Sequence, residues 1–511
     1  MPNAIVRNVL ASLILVVLCF VIGAQAAENS KMSVGIIVAL VGVVFMLWLG
    51  SRCWVLIYLL PPVVSLMPVP GKIGELPLPF LVGIPVLGYW MLMSVMGYTR
   101  FRWRGLWLLD IPLLVFFIYF AATFVRHPVS MAMFGWDTEY VGGREYAWCI
   151  CAYIYYVAIS IIPCQYEQVL KVLRWGIVLS VGVAVLAVLL QLVGIRGGVD
   201  ITELRDAATT KRFTMFTQLG VYGIIYIYGL FSLQSILVSP GKLLGCLISF
   251  GAILISGWRE SLMANGFVIM ALGIVKRELW CLACLGCLVY VCLFYLGSEG
   301  VLREFPFGMQ RTLSAVPGIE VSEEVAAEAD GSSDWRIVMW KWALDPRTGY
   351  IKDYMWGDGF GRSVDLMRRE TTALMRGSTR YGEQEFFAEQ GVWHSGVISS
   401  IHRVGYVGLG LVTVIYLVGT YLMFRVCMSV KGTPLYFPAL FYLIPYAAAP
   451  SLFYISEGTF MKFFATYIQL VLAKLIFCVA REQKILIPVM ERKRYVPQMI
   501  REHEEQIRPA M

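Results

Sequence analysis

The sequence predicts an all-α polytopic membrane protein with about 12–14 transmembrane helices and one large extracytoplasmic loop. Three observations carry this prediction. Hydrophobic residues make up 59% of the chain, charged residues only 15%, and mean hydropathy is +0.71, which excludes a soluble globular protein. Apolar runs of membrane length recur throughout the chain. A single long polar interruption, Ser298 to Arg403, lies between two such runs.

Runs of roughly 17 to 25 apolar residues cross the hydrocarbon as helices. They fall near 9–26, 33–49, 53–67, 79–97, 107–125, 146–163, 174–195, 214–237, 243–257, 261–275, 279–297, 404–425, 434–450 and 459–480. The chain thus divides into an N-terminal bundle (1–297), a polar loop with interfacial helices (298–403), C-terminal spans (404–480) and a basic tail (481–511). Lysine and arginine of short loops favour the cytoplasm. With the N-terminus inside, Arg52, Arg100, Arg102, Arg104, Lys171, Lys242, Lys276, Arg277, Arg425 and Lys431 are all inner. Both termini are then cytoplasmic and the 298–403 segment is outside. Ala24-Gln25-Ala26-Ala27 also fits a signal-peptidase site; cleavage there would leave the later sidedness unchanged.

The net charge of +8 reflects the inner loops and the tail, which suits an anionic membrane surface. All twelve cysteines lie in spans or on the inner side, which excludes a disulfide framework in the large loop. Cys281, Cys284 and Cys287 share helical spacing; a metal site is one reading and apolar packing the better one.

Arginines on the outer side run against the positive-inside bias. They occur at Arg126-His127, Arg144, Arg205, Lys211-Arg212 and Arg259-Glu260. Snorkelling or a local ion pair accounts for most outer arginines. Arg259 sits in a tight turn between two apolar helices, where an ionisable group points to a site. Guanidinium forks suit phosphate oxygens, so several converging arginines make a clamp for a diphosphate.

Within the outer segment, Ser332-Ser333-Asp334 offers caps for a helix from Trp335 to about Leu344. Trp335, Val338, Met339 and Trp342 form its apolar stripe, which favours lying at the membrane interface. Asp345-Pro346 ends it. Gly357-Asp358-Gly359-Phe360-Gly361 reads as a turn that permits close backbone approach. His394 follows Trp393 and precedes Ser395-Gly396. A lone histidine is commonly structural, but this one is outer and membrane-proximal, and imidazole suits proton abstraction near neutral pH. His402 and His127 are weaker candidates. No Walker loop, dinucleotide fingerprint or HExxH helix occurs. Any driving energy must therefore come from an activated substrate.

These landmarks together resemble the O-antigen ligase and O-antigen polymerase superfamily, from about the seventh span to the thirteenth. The resemblance rests on Gly257-Trp258-Arg259 between two spans, Arg212 ahead of Phe213 and Phe216, and the Arg-x3-Trp pair Arg336 and Trp340. It also rests on the Gly357–Gly361 turn, on His394-Ser395, and on the glycine-rich stretch Gly405 to Gly410. Serine stands where the family more commonly has asparagine after the histidine, and about fourteen spans exceed the usual dozen. The resemblance implies a C-type glycosyltransferase of the bacterial inner membrane that needs neither metal nor cofactor. Its donor would be an undecaprenyl-diphosphate-linked glycan, and its acceptor a hydroxyl on a glycan, lipid or protein. Nucleic acid is not a partner. Arg212, Arg259 and Arg336 would bind the diphosphate, His394 would take the acceptor proton, and Trp340, Gly359, Trp393 and Ser395 would contact substrate. The competing expectations are a lipid-linked glycan transporter, which should show repeats and midplane charges, and a non-catalytic envelope scaffold.

Overall fold

The computed structural model describes residues 55, 78–97, 103–129, 140–161, 165–192, 214–363, 388, 391, 393–455, 463–464 and 466–484. The first three expected spans, Arg205, Arg212 and most of the basic tail lie outside these. Among the described residues the chain is all-helical apart from one two-residue antiparallel pair, β1 (Tyr140–Val141) with β2 (Arg362–Ser363). In chain order the helices are α1 (Leu78–Val95), α2 (Trp107–Arg126), α3 (Gly143–Ile161), α4 (Tyr166–Leu192), α5 (Thr214–Leu230), α6 (Leu233–Val238), α7 (Pro240–Ile255), α8 (Arg259–Lys276) and α9 (Leu279–Ser298). The 298–403 segment contributes α10 (Phe307–Leu313) and α11 (Glu323–Leu344). Beyond it lie α12 (Gly396–Ser429), α13 (Tyr436–Leu443), α14 (Ala448–Ile455) and α15 (Tyr467–Glu482).

Among the described residues, five stretches are long and apolar enough to cross a membrane: α2, most of α4, α9, α12 and the broken run Tyr436–Ile455. Four shorter apolar helices accompany them, in α1, α3, α5 and α7. The chain is therefore an α-helical membrane protein. Helix boundaries follow the apolar runs closely at α2, α8 and α9, whereas α4 and α12 each begin eight residues early and Ser232 interrupts the expected 214–237 span. It caps α6 by accepting from the Ser235 amide at 3.3 Å.

Small residues let α5 and α7 pack closely. A Cβ at Gly220 would stand 2.6 Å from the Ser249 carbonyl oxygen, and one at Gly223 2.2 Å from Ser249 Oγ. The main core is aromatic and aliphatic and joins α2, α3, α4, α8 and α12 to α15. By contrast, none of the apolar window of α9 is buried. Cys281, Cys284 and Cys287 are exposed there, so they do not pack against protein as expected.

Lys474 is a charge within a membrane-length apolar run. It lies mid-helix in α15, 2% exposed. Its ammonium donates to Asp110 Oδ1 (2.7 Å), Ser160 Oγ (2.7 Å) and the Tyr156 hydroxyl (3.0 Å). Tyr156 also donates to Asp110. All three ammonium protons are thus used, which ties α15 to α2 and α3.

α12 is 34 residues long, about 50 Å at 1.5 Å per residue and longer than the roughly 30 Å hydrocarbon. It starts eight residues before the expected 404–425 span and breaks at Gly405 (φ 67°, ψ −177°). Backbone groups freed by the break are taken up by the Tyr354–Gly359 stretch. The amides of Tyr406 and Val407 donate to the carbonyls of Tyr354 (2.8 Å) and Met355 (3.2 Å). The carbonyls of His402 and Arg403 accept from the amides of Asp358 (2.8 Å) and Gly359 (3.0 Å). Gly357 (φ 79°) and Gly405 meet backbone to backbone. A Cβ on Gly357 would lie 2.5 Å from the Gly405 nitrogen, and one on Gly405 2.2 Å from the Met355 oxygen.

Candidate anion pocket beside His394

The site begins at the turn between α7 and α8. Gly257 adopts φ 71°, which only glycine does freely, and reverses the chain. Trp258 then precedes the first turn of α8, which no side chain caps. The helix dipole favours an anion there. Ser256 and Ser261 brace the turn: their hydroxyls are 3.1 Å apart, and Ser261 donates to the Trp258 carbonyl at 2.7 Å.

Helix α10 is laid across this turn. Thr312 donates to the Leu254 carbonyl at 2.9 Å. Gln310 donates to the carbonyls of Arg303 (2.9 Å) and Phe305 (2.8 Å) and accepts from the Ser322 amide (2.9 Å). That last contact fixes the start of α11. The helix begins at Glu323, well before the expected Trp335. The alanine-rich stretch Glu323–Ala329 is strongly helix-forming, and Ser333, expected as a cap, instead donates back to the Ala329 carbonyl at 3.0 Å. Asp345 terminates the helix as expected.

These elements bring three arginines to one open pocket, lined by Gly257, Trp258, Arg259, Glu260, Arg311 and Arg336. It encloses about 330 Å³ of atom-free space counting its mouth. Arg259 Nη1 donates to the Ala329 carbonyl of α11 at 3.2 Å. Arg311, 7% exposed, pairs with Glu328 of α11 at 2.8 Å. Arg259 and Arg336 thus meet as the sequence suggested. Arg311 was missed, although it lies in the 298–403 segment that the positive-inside reading expects to be outside.

His394 does not line this pocket. It stands on the neighbouring face of α11, its ring 5.1 Å from that of Trp335 at 64°. Its backbone is left-handed (φ 47°), a conformation that non-glycine residues seldom hold without support. The support comes from both sides. Trp393 is fully buried, accepts from Trp340 Nε1 on its carbonyl (2.8 Å) and donates its own indole to His402 Nδ1 (3.0 Å). Ser395 caps α12 by accepting from the Ile398 amide at 3.4 Å. Trp340, Trp393 and Ser395, expected to contact substrate, therefore use these groups to hold His394. Gly359 (φ 77°) packs against His127, which would lie 2.6 Å from an added Cβ. His402 faces Asp358 at 3.7 Å. His127 and His402 thus belong to the frame beneath the turn.

Arg126 joins the same frame, donating to the Trp356 carbonyl at 2.9 Å and lying over the Trp356 ring. The ends of α2 and α8 expected to share a side with the 298–403 segment do contact it. Among the described residues no group of three or more His, Cys, Asp or Glu could hold a metal. Comparison with known protein families and with curated proteins finds no match to this chain.

Proposed function

We propose that the protein is an inverting glycosyltransferase of the bacterial inner membrane, of the O-antigen ligase or polymerase kind. It would move a glycan from an undecaprenyl-diphosphate donor to an acceptor hydroxyl on the periplasmic face. The observation that carries this reading is the convergence of Arg259, Arg311 and Arg336 on one pocket at an uncapped helix start, with His394 against the next residue of the same α11. Guanidinium forks bind the diphosphate and stabilise the charge that grows on it as the anomeric C–O bond breaks. The acceptor oxygen attacks from the opposite side, and its proton passes to the His394 imidazole. The donor's first sugar occupies the interval between pocket and imidazole, held in line for attack. Positive charge on arginine takes the part that a metal plays elsewhere.

A transporter would be favoured by an intramembrane charge pair awaiting a ligand or proton. Lys474 is buried and Asp110 partly so, but they are saturated by each other, Tyr156 and Ser160, which fits a helix tie better. The test is glycan transfer in vitro from a purified undecaprenyl-diphosphate glycan to candidate acceptors. Transfer by the wild type and none by His394→Ala, with equal protein inserted, supports the reading. Unchanged transfer by that variant would refute the role of His394, and ATP-independent translocation without transfer would favour the transporter.

A further inference from the structure

We propose that Glu328 is the resident counter-anion of the arginine pocket and determines which anions it admits. The inference rests on reading the pocket as a diphosphate site. Glu328 touches Arg311 through one oxygen, Oε1, 2.8 Å from Nη2. Its other oxygen, Oε2, is buried and takes no hydrogen bond. The pair is therefore one-armed, weaker than the forked arginine–carboxylate geometry. The arginine is deep, with 9% of its side chain exposed, whereas the glutamate retains 35%. Glu328 can swing toward solvent; Arg311 cannot follow.

This asymmetry gives a rule for selectivity. A tethered carboxylate competes at high effective concentration, so an anion must gain more than one contact to displace it. A monophosphate can settle on Arg259 and Arg336 and leave the Arg311–Glu328 pair closed. A diphosphate reaches all three guanidinium groups and gains by opening it.

The experiment is calorimetric titration of the full-length protein in nanodiscs with inorganic phosphate, pyrophosphate and farnesyl diphosphate at constant ionic strength. Glu328→Gln keeps an oxygen for Arg311 but removes the charge. It should tighten pyrophosphate about tenfold and phosphate less than about threefold. In an Arg311→Gln background the same change should shift both ligands alike. An equal or weaker pyrophosphate affinity in Glu328→Gln overturns the proposal. If that variant does not accumulate, Glu328→Asp is read instead: its retracted carboxylate should also tighten pyrophosphate, and failure to do so overturns the proposal equally. A shift shared by pyrophosphate and farnesyl diphosphate assigns the effect to the diphosphate, whereas binding of the farnesyl form alone marks the ligand as lipid-borne, with the shift then read on it. Diphosphate binding lost in Arg259→Lys or Arg336→Ala but insensitive to Glu328 sinks only this inference. A wild type that binds none of the three sinks the pocket reading with it.

Discussion

The Trp335 indole stands edge-on to the His394 imidazole, ring centres 5.1 Å apart, on the residue immediately before Arg336. One helix therefore sets both the imidazole and a guanidinium of the pocket. Trp335→Ala should lower transfer about tenfold or more with little change in donor KM, because it loosens the imidazole without touching the pocket. Trp335→Phe, which keeps an aromatic edge, should retain most activity. Steady-state kinetics on matched amounts of inserted protein decide this; a rise in KM alone would assign Trp335 to substrate binding.

Arg259→Lys should reduce transfer by about tenfold to a hundredfold, since a lysine cannot supply paired donors to two phosphate oxygens. It also loses the 3.2 Å contact to Ala329. Donor titration against initial rate measures the loss, and full activity would make Arg259 a simple interfacial anchor.

Substitution at the helix break should act on folding. Gly405→Ala places a methyl group 2.2 Å from the Met355 oxygen at a left-handed residue, and Gly357→Ala is similarly blocked. Each should cost at least about 2 kcal/mol and reduce accumulation in the membrane. Thermal melting in detergent gives the measurement, with Gly410→Ala, which meets nothing within 4 Å, as the neutral control.

Lys474→Met should destabilise strongly, by about 3 kcal/mol or more, because it strands Asp110 in a buried site. Pairing it with Asp110→Asn should restore much of the loss and leave transfer intact. A double variant that melts normally but cannot transfer would point to a role for the pair in the reaction.

Much of this was legible in the sequence because membrane helices declare themselves by apolar length. The bounds of α2 and α9 and the turn at Gly257 follow from local composition alone. Arg259 was legible as a charge on the wrong side and Arg336 through the Arg-x3-Trp resemblance, and both line one pocket. What the sequence hid depends on contacts between distant residues. The early start of α11 required knowing that Ser322 binds Gln310 and that Ser333 bonds back along its own helix. The supporting use of Trp393 and Ser395 could not be told from substrate contact, since buried indoles and helix caps use the same residue types as sugar-binding surfaces. Arg311 was one arginine among several in the 298–403 segment until α10 placed it.

The exchange of backbone hydrogen bonds at Gly405 has a bearing on biogenesis. An amide or carbonyl left without a partner in lipid costs several kcal/mol, so this span cannot settle until the chain around Tyr354 to Gly359 is on hand to receive it. That stretch is N-terminal to the break and emerges from the ribosome first. Order of synthesis thus delivers the docking partner before the helix that needs it, and moving the stretch behind the helix by circular permutation would remove that advantage.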